Sequence, residues 1–176
     1  MSSPETLDVV YHGSTVRVTK PNPALGADRK DFGRGFYTTP NKQQAEKFAS
    51  LKAKRQDVAQ GWVSVFRPTG FDELAVTTYP AADRAWFDFV LANRGFPEFA
   101  AGVPALSADV IIGPVANDAV GLVLNQFIGG TYGDPRSAQA KDIAISLLLT
   151  QRLHEQVFFA TERACSRLEW VEAYRV

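Results

Sequence analysis

Residues 31–49, DFGRGFYTTPNKQQAEKFA, set two glycines around an arginine, then an aromatic pair, a threonine–proline step and a polar helix. So much backbone freedom immediately ahead of a tyrosine admits three readings: a phosphate loop, a hairpin turn, or a strand that presents Tyr37 to a ligand. Gly33-Arg34-Gly35 lacks the glycine–lysine–serine/threonine ending of a phosphate loop, and no G-x-G-x-x-G opens a helix. Glycines just before a strand allow positive φ or close approach of a ligand to the backbone, and a plain hairpin uses the same freedom. The stretch alone leaves these open. Gly35–Thr39 is aromatic and β-branched, which predicts a strand. Thr39 followed by Pro40 predicts a helix start, with a capping hydroxyl and a proline at the first helical position. Ala45, Phe48 and Ala49 then fall on one face of that helix.

Working outward, LDVVYHGS (7–14) predicts a short strand, with TVRV (15–18) as a second extended piece. KPNPALGADRKD (20–31) is a loop, since its prolines and glycine hold neither a ladder nor a helix. WVSVF (62–66) and ELAVTT (73–78) predict strands joined through RPTGFD, and residues 83–95 a helix ending at Gly95. Val110–Ile112 is an apolar strand broken by Gly113 and Pro114. Helices are predicted from Asp118 to the paired glycines 129–130 and again from Asp134-Pro135 onward. EQVFFAT (155–161) predicts a buried strand, TERACSRL a short helix, and EWVEAYRV a closing strand. Strands at both ends with helices between indicate an α+β class: a mixed or antiparallel sheet with flanking helices, in one domain over residues 1–176.

The chain has 176 residues, enough for a real core, and its 19 basic and 19 acidic residues balance. Bulk charge therefore points to neither nucleic acid nor an anionic membrane. Lys52, Lys54 and Arg55 read as a solvated helix face. Cys165 is the single cysteine, so no intrachain disulfide forms, and a reducing compartment, the cytoplasm, is expected. No signal-like start and no membrane-length apolar run is visible.

Two histidines are present. His12 ends an apolar strand in YHGS and offers an imidazole, an unshielded backbone and a hydroxyl in three successive residues, fittings suited to a carboxamide and a ribose hydroxyl. His154 has no such companions and reads as a surface residue. These histidines and the one cysteine match no zinc spacing, so no metal is expected, and no G-x-S-x-G elbow supports a serine hydrolase. Asp118 and Asn117 fit a helix cap better than a catalytic role. Trp86 and Phe89 fit a core, while Arg94 is left open.

YHGS, then DFGRGFYTT followed by QAEKFA, then a late EQVFF, resembles the ADP-ribosyltransferase fold, in its diphtheria-toxin and poly(ADP-ribose) polymerase branch. The chain also resembles a bacterial domain-of-unknown-function family of toxin-like transferases often encoded beside an antitoxin, through WFDFVLANR, DVIIGPVAND and EQVFFATERA. The likeness runs from about Tyr11 to Leu168. It implies an NAD-dependent mono-ADP-ribosyltransferase that releases nicotinamide and modifies a protein or nucleic-acid acceptor, with a cognate antitoxin as partner. An NAD glycohydrolase, or a non-catalytic NAD or ADP-ribose reader, are the alternatives. By the same resemblance, His12 holds a ribose hydroxyl, the Gly13 backbone pairs with the nicotinamide carboxamide, and Ser14 lies beside them. Tyr37 and Phe48 would sandwich the nicotinamide ring, Gly33 and Gly35 would bring the loop close to the cofactor, and Arg34 would face the diphosphate. The late-strand glutamate of the branch aligns with Gln156 in preference to Glu155. Because strand side chains alternate, only one of the two faces the site.

Overall fold

The computed structural model describes residues 7–100, 108–115, 118–149 and 153–176. Among the described residues seven strands form two sheets. The first has the order β1 (Val10–Ser14), β3 (Trp62–Pro68), β7 (Leu168–Arg175), all antiparallel. The second has the order β2 (Phe36–Thr38), β6 (Glu155–Phe159), β5 (Val110–Pro114), β4 (Val76–Thr78); it is mixed, since β4 and β5 run parallel. The α+β class expected from the sequence holds, but as two sheets rather than one.

The helices are α1 (Lys42–Arg55), α2 (Arg84–Asn93), α3 (Asp118–Ile128), α4 (Ala138–Leu149) and the single turn α5 (Glu162–Cys165). Alternation along the strands sorts the layers. Val10, Phe66, Phe36, Ile112, Val157 and Phe159 share one core drawn from both sheets, so that core lies between them. The outer face of the first sheet packs Val63 against Ala45 and Ala49 of α1. The outer face of the second packs Ile111 and Phe158 against α2, α3 and α4, with Trp86, Leu124 and Leu148 fully buried. The order of layers is therefore helix, sheet, sheet, helices.

Several boundaries move from their predicted places. Thr15–Val18 is not a strand; the Val18 N–H donates to the Ser64 hydroxyl at 3.0 Å instead of joining a ladder. The cap of α1 is Asn41, whose side chain accepts from the Gln44 N–H at 3.0 Å. Thr39 accepts from the Asn41 N–H at 3.1 Å, so it shapes the approach rather than the cap. Asp134 and Pro135 make a turn, and the last long helix begins at Ala138 with Ser137 accepting from the Ala140 N–H. Asp118 opens α3, whereas Asn117 lies outside the described residues. Trp86 and Phe89 are core, as expected. Cys165 is buried in the intersheet core, where burial pushes its thiol up to about 12. Among the described residues no helix is long and apolar enough to cross a membrane.

Candidate functional site

The two sheets meet where β1 and the end of β2 cross. A single bridge joins them: the Tyr11 N–H donates to the Thr39 carbonyl at 2.8 Å, and the Thr39 N–H returns to the Tyr11 carbonyl at 3.0 Å. Backbone polarity alternates along an antiparallel strand, so Tyr11 and Gly13 point their N–H and C=O the same way. The bridge is isolated. Beyond it no ladder continues between β1 and β2 among the described residues, and the buried Gly13 points its N–H and C=O along the same edge as Tyr11.

Gly13 is also where α1 comes closest to β1. A Cβ there would lie 2.5 Å from the Ala45 carbonyl oxygen and 3.2 Å from Cδ1 of Phe48. Only glycine fits, and its absent side chain brings the Phe48 ring, 53 % exposed, beside this backbone. Phe48 and the Gly13 edge are therefore neighbours, whereas Tyr37, with which the sequence reading paired Phe48, packs on the helical side against Phe158.

His12 lies on the opposite face of β1 from Gly13. Its ring stacks on Phe36, centroids 4.3 Å apart and 26° between planes. Nδ1 is 2.7 Å from the Tyr37 carbonyl oxygen. That oxygen can only accept, so Nδ1 carries the hydrogen and Nε2 keeps its lone pair. Burial lowers the pKa to about 4, against the raising effect of the Tyr37 bond, and the Lys52 charge lowers it further. The imidazole is neutral at physiological pH. Ser14 follows on the His12 face, buried, with its hydroxyl 3.5 Å from the Val16 N–H.

Tyr37 anchors the loop that precedes it. Its hydroxyl donates to the Gly33 carbonyl at 2.7 Å and accepts from the Phe32 N–H at 3.0 Å, and burial raises its pKa. Its ring packs on Phe158 at 4.7 Å. The glycines have structural duties here. Gly33 adopts φ +90° in a turn closed by its N–H to the Lys30 carbonyl at 3.1 Å. A Cβ on Gly35 would fall 2.4 Å from the Phe158 ring. Arg34 is engaged by Asp28 through contacts of 2.8 and 2.5 Å and lies on the exposed side of the loop. Asp31 pairs with Arg94 at the end of α2, at 2.6 Å, which ties the loop to the helical layer. Arg94, open in the sequence, is thus a loop anchor.

On β6 the two candidate residues part company. Tyr37 opposes Phe158, and Gly113 opposes Gln156. Gln156 therefore shares the face of Phe158, under the helices. It is 4 % exposed, and its amide donates to the Pro114 carbonyl at 3.3 Å, which also accepts from the Trp86 indole at 3.1 Å. Glu155 alternates onto the face of Val157 and Phe36, the face on which His12 stacks, and is half-buried. Its carbonyl oxygen lies 2.8 Å from the Thr39 hydroxyl, itself 2.7 Å from Oε1 of Gln44. His12 on the first sheet and Glu155 on the second thus both face the space between the sheets, while Tyr37 and Gln156 face the helices. Motif alignment favoured Gln156; the strand register, which only pairing reveals, puts Glu155 on the intersheet side and Gln156 under the helices. His154 is exposed, with Nδ1 3.4 Å from the Asn41 amide nitrogen. Among the described residues no cluster of histidine, cysteine or carboxylates could hold a metal.

Residues 9–170 match the family model described as a protein of unknown function, DUF3990. No curated protein matches the chain, and no solved structure does.

Proposed function

The chain belongs to the DUF3990 family, and for it we propose the activity of an NAD-dependent mono-ADP-ribosyltransferase, acting as the toxin of a toxin–antitoxin pair. One observation carries the reading: past the isolated Tyr11–Thr39 bridge the Gly13 backbone edge has no ladder partner among the described residues, and it lies beside the Phe48 ring and next to a neutral histidine. A carboxamide needs one donor and one acceptor in register, and the Gly13 N–H and C=O supply both. Phe48 offers a face to the attached ring. Nε2 of His12, held as an acceptor, suits a ribose hydroxyl.

The reaction on this reading cleaves the bond between nicotinamide and ribose. Positive charge develops on the ribose as that bond lengthens, and a carboxylate nearby lowers the barrier. Glu155 is the candidate, because it faces the same intersheet space as His12 and can both accept from a ribose hydroxyl and supply negative charge. Gln156, committed to the Pro114 carbonyl, is assigned to packing. Tyr37 contributes by fixing the loop, with Gly33 and Gly35 serving that loop. The acceptor is a protein side chain or a nucleic-acid group, and the compartment is the cytoplasm.

The test is nicotinamide release from NAD by purified protein, with and without host lysate. Release that depends on lysate, falls at least a hundredfold in Glu155→Gln and His12→Ala, and survives in Gln156→Leu is the expected result. Release independent of lysate would redirect the reading to an NAD glycohydrolase. Loss in Gln156→Leu with full activity in Glu155→Gln would overturn the assignment on β6.

A further inference from the structure

Helix α1 buries Ala45, Ala49 and Ala53, the first two against the first sheet, and turns another stripe outward. At 3.6 residues per turn, Gln44, Phe48, Leu51 and Arg55 stand at i, i+4, i+7 and i+11 along that stripe. Its middle is apolar: Phe48 is 53 % exposed and Leu51 41 %. Exposed Lys47 and Lys54 border it on one side and half-buried Lys52 on the other. The helix carries five basic residues and one acidic residue, Glu46, in a chain whose charges balance. Glu46 is engaged by the Tyr174 hydroxyl at 3.0 Å and by Lys42 at 3.9 Å. Among the described residues no carboxylate forms an ion pair with Lys47, Lys52 or Lys54. Cations in a last turn complement the helix dipole, which accounts for Lys52, Lys54 and Arg55. The dipole accounts neither for Lys47 in mid-helix nor for a phenylalanine and a leucine left in water between the lysines.

We propose that the outer stripe of α1 docks an acidic amphipathic helix of a partner protein, which seats apolar residues on Phe48 and Leu51 and carboxylates on Lys47, Lys52 and Lys54. The spacing of the stripe is that of a two-helix seam, in which apolar side chains interlock and flanking charges select the partner. Five cations against one carboxylate make an acidic partner the complementary one. A second copy of this chain does not fit, because α1 laid on α1 sets lysine against lysine. A bilayer does not fit either. A helix lying in the membrane interface needs a broad apolar face, whereas this stripe offers two large apolar side chains between a glutamine and an arginine. The docked helix also regulates the site described above. It covers the Phe48 ring, whose Cδ1 lies 3.2 Å from the place of a Cβ on Gly13, and so takes that ring from the nicotinamide. This last step rests on the NAD reading; the docking itself does not.

Two synthetic helical peptides test the surface, each with a leucine stripe, one bordered by glutamates and the other by lysines. In fluorescence anisotropy titrations, wild type should bind the glutamate peptide at least tenfold more tightly than the lysine peptide. Leu51→Ser and the double variant Lys47→Glu/Lys54→Glu should each weaken that binding at least fivefold, and the double variant should gain affinity for the lysine peptide. Melting midpoints equal to wild type in these surface variants would tie the loss to docking rather than to folding. The glutamate peptide should also inhibit nicotinamide release, with half-inhibition at least fivefold higher for Leu51→Ser. Equal affinity for the two peptides, uptake of neither, or equal binding by wild type and variants would overturn the docking surface. Binding to phosphatidylserine vesicles that is lost in Leu51→Ser, with no peptide taken up, would replace the protein partner by a membrane and end the proposal. Release that continues with the glutamate peptide fully bound would remove the regulatory step and uphold the docking. If wild type releases no nicotinamide at all, the NAD reading fails, and the peptide affinities decide the docking surface alone.

Discussion

At His12 the Nδ1 hydrogen is committed to the Tyr37 carbonyl, and burial keeps the ring neutral. The consequence for stability has a definite sign. The folded pKa, about 4, lies below the ordinary 6.5, so between those values the unfolded chain binds more protons. The stability tied to neutral His12 is complete above pH 6.5 and is lost as pH falls toward 4, by up to roughly 3 kcal/mol. Urea unfolding of wild type and His12→Gln at pH 7 and pH 4.5 should show a steeper acid loss in wild type; parallel losses would contradict the buried neutral imidazole. Tyr37 permits a second test at this scale. Tyr37→Phe removes the bonds to Gly33 and Phe32 while leaving the ring, and should lower stability by about 1–2 kcal/mol in the same unfolding assay. The histidine was legible in the sequence from its own short motif, and the tyrosine and Phe48 through the family resemblance. Their partners were not, because carbonyl contacts such as His12 to Tyr37 span 25 positions.

Glycines decide how the elements meet. Helix α1 lies on β1 because Gly13 offers no Cβ, and a methyl group there would sit 2.5 Å from the Ala45 carbonyl. Gly13→Ala should therefore force α1 outward, costing about 2–3 kcal/mol in denaturant unfolding and abolishing nicotinamide release together with it. Gly13 was singled out in the sequence for its exposed backbone. The helix that presses on it was invisible there, since nothing in YHGS reveals that residues 45–49 pack across it. The start of α1 shows a similar limit. Thr39-Pro40 has the composition of a cap, yet Asn41 supplies it, because the Thr39 backbone is already spent on the bridge to Tyr11. Tertiary pairing overrode a local preference.

Across the whole molecule, the helical layer is tied by a buried ion pair that no site function uses. Nζ of Lys141 on α4 lies 2.5 Å from Oδ1 of Asp88 on α2 and donates to the Phe99 carbonyl at 3.0 Å. Both side chains are under a tenth exposed. Removing one partner strands the other's charge, so Lys141→Met should cost about 3–5 kcal/mol, and pairing it with Asp88→Leu should restore most of that. A thermal melt of the single and double variants checks this, and it should leave the affinity of the folded protein for NAD unchanged. Asp88 and Lys141 lie on helices whose apolar stripes were plain in the sequence, but their meeting depends on how α2 and α4 dock.

The sequence by itself indicated most of the strands and helices and that Trp86 and Phe89 belong to the core, while the family resemblance drew His12, Gly13, Tyr37 and Phe48 toward a common purpose. The elements and the core follow from periodicity and side-chain chemistry, which act over a few residues. Only the tertiary structure decided that there are two sheets, that Arg34 is held by Asp28, that Gly35 makes room for Phe158, and that Glu155 faces the intersheet space while Gln156 lies under the helices. The physical reason is common to all four. Strand partners and the side each strand presents are set by contacts between distant segments, and a shift of one residue in register exchanges every side chain between the two faces.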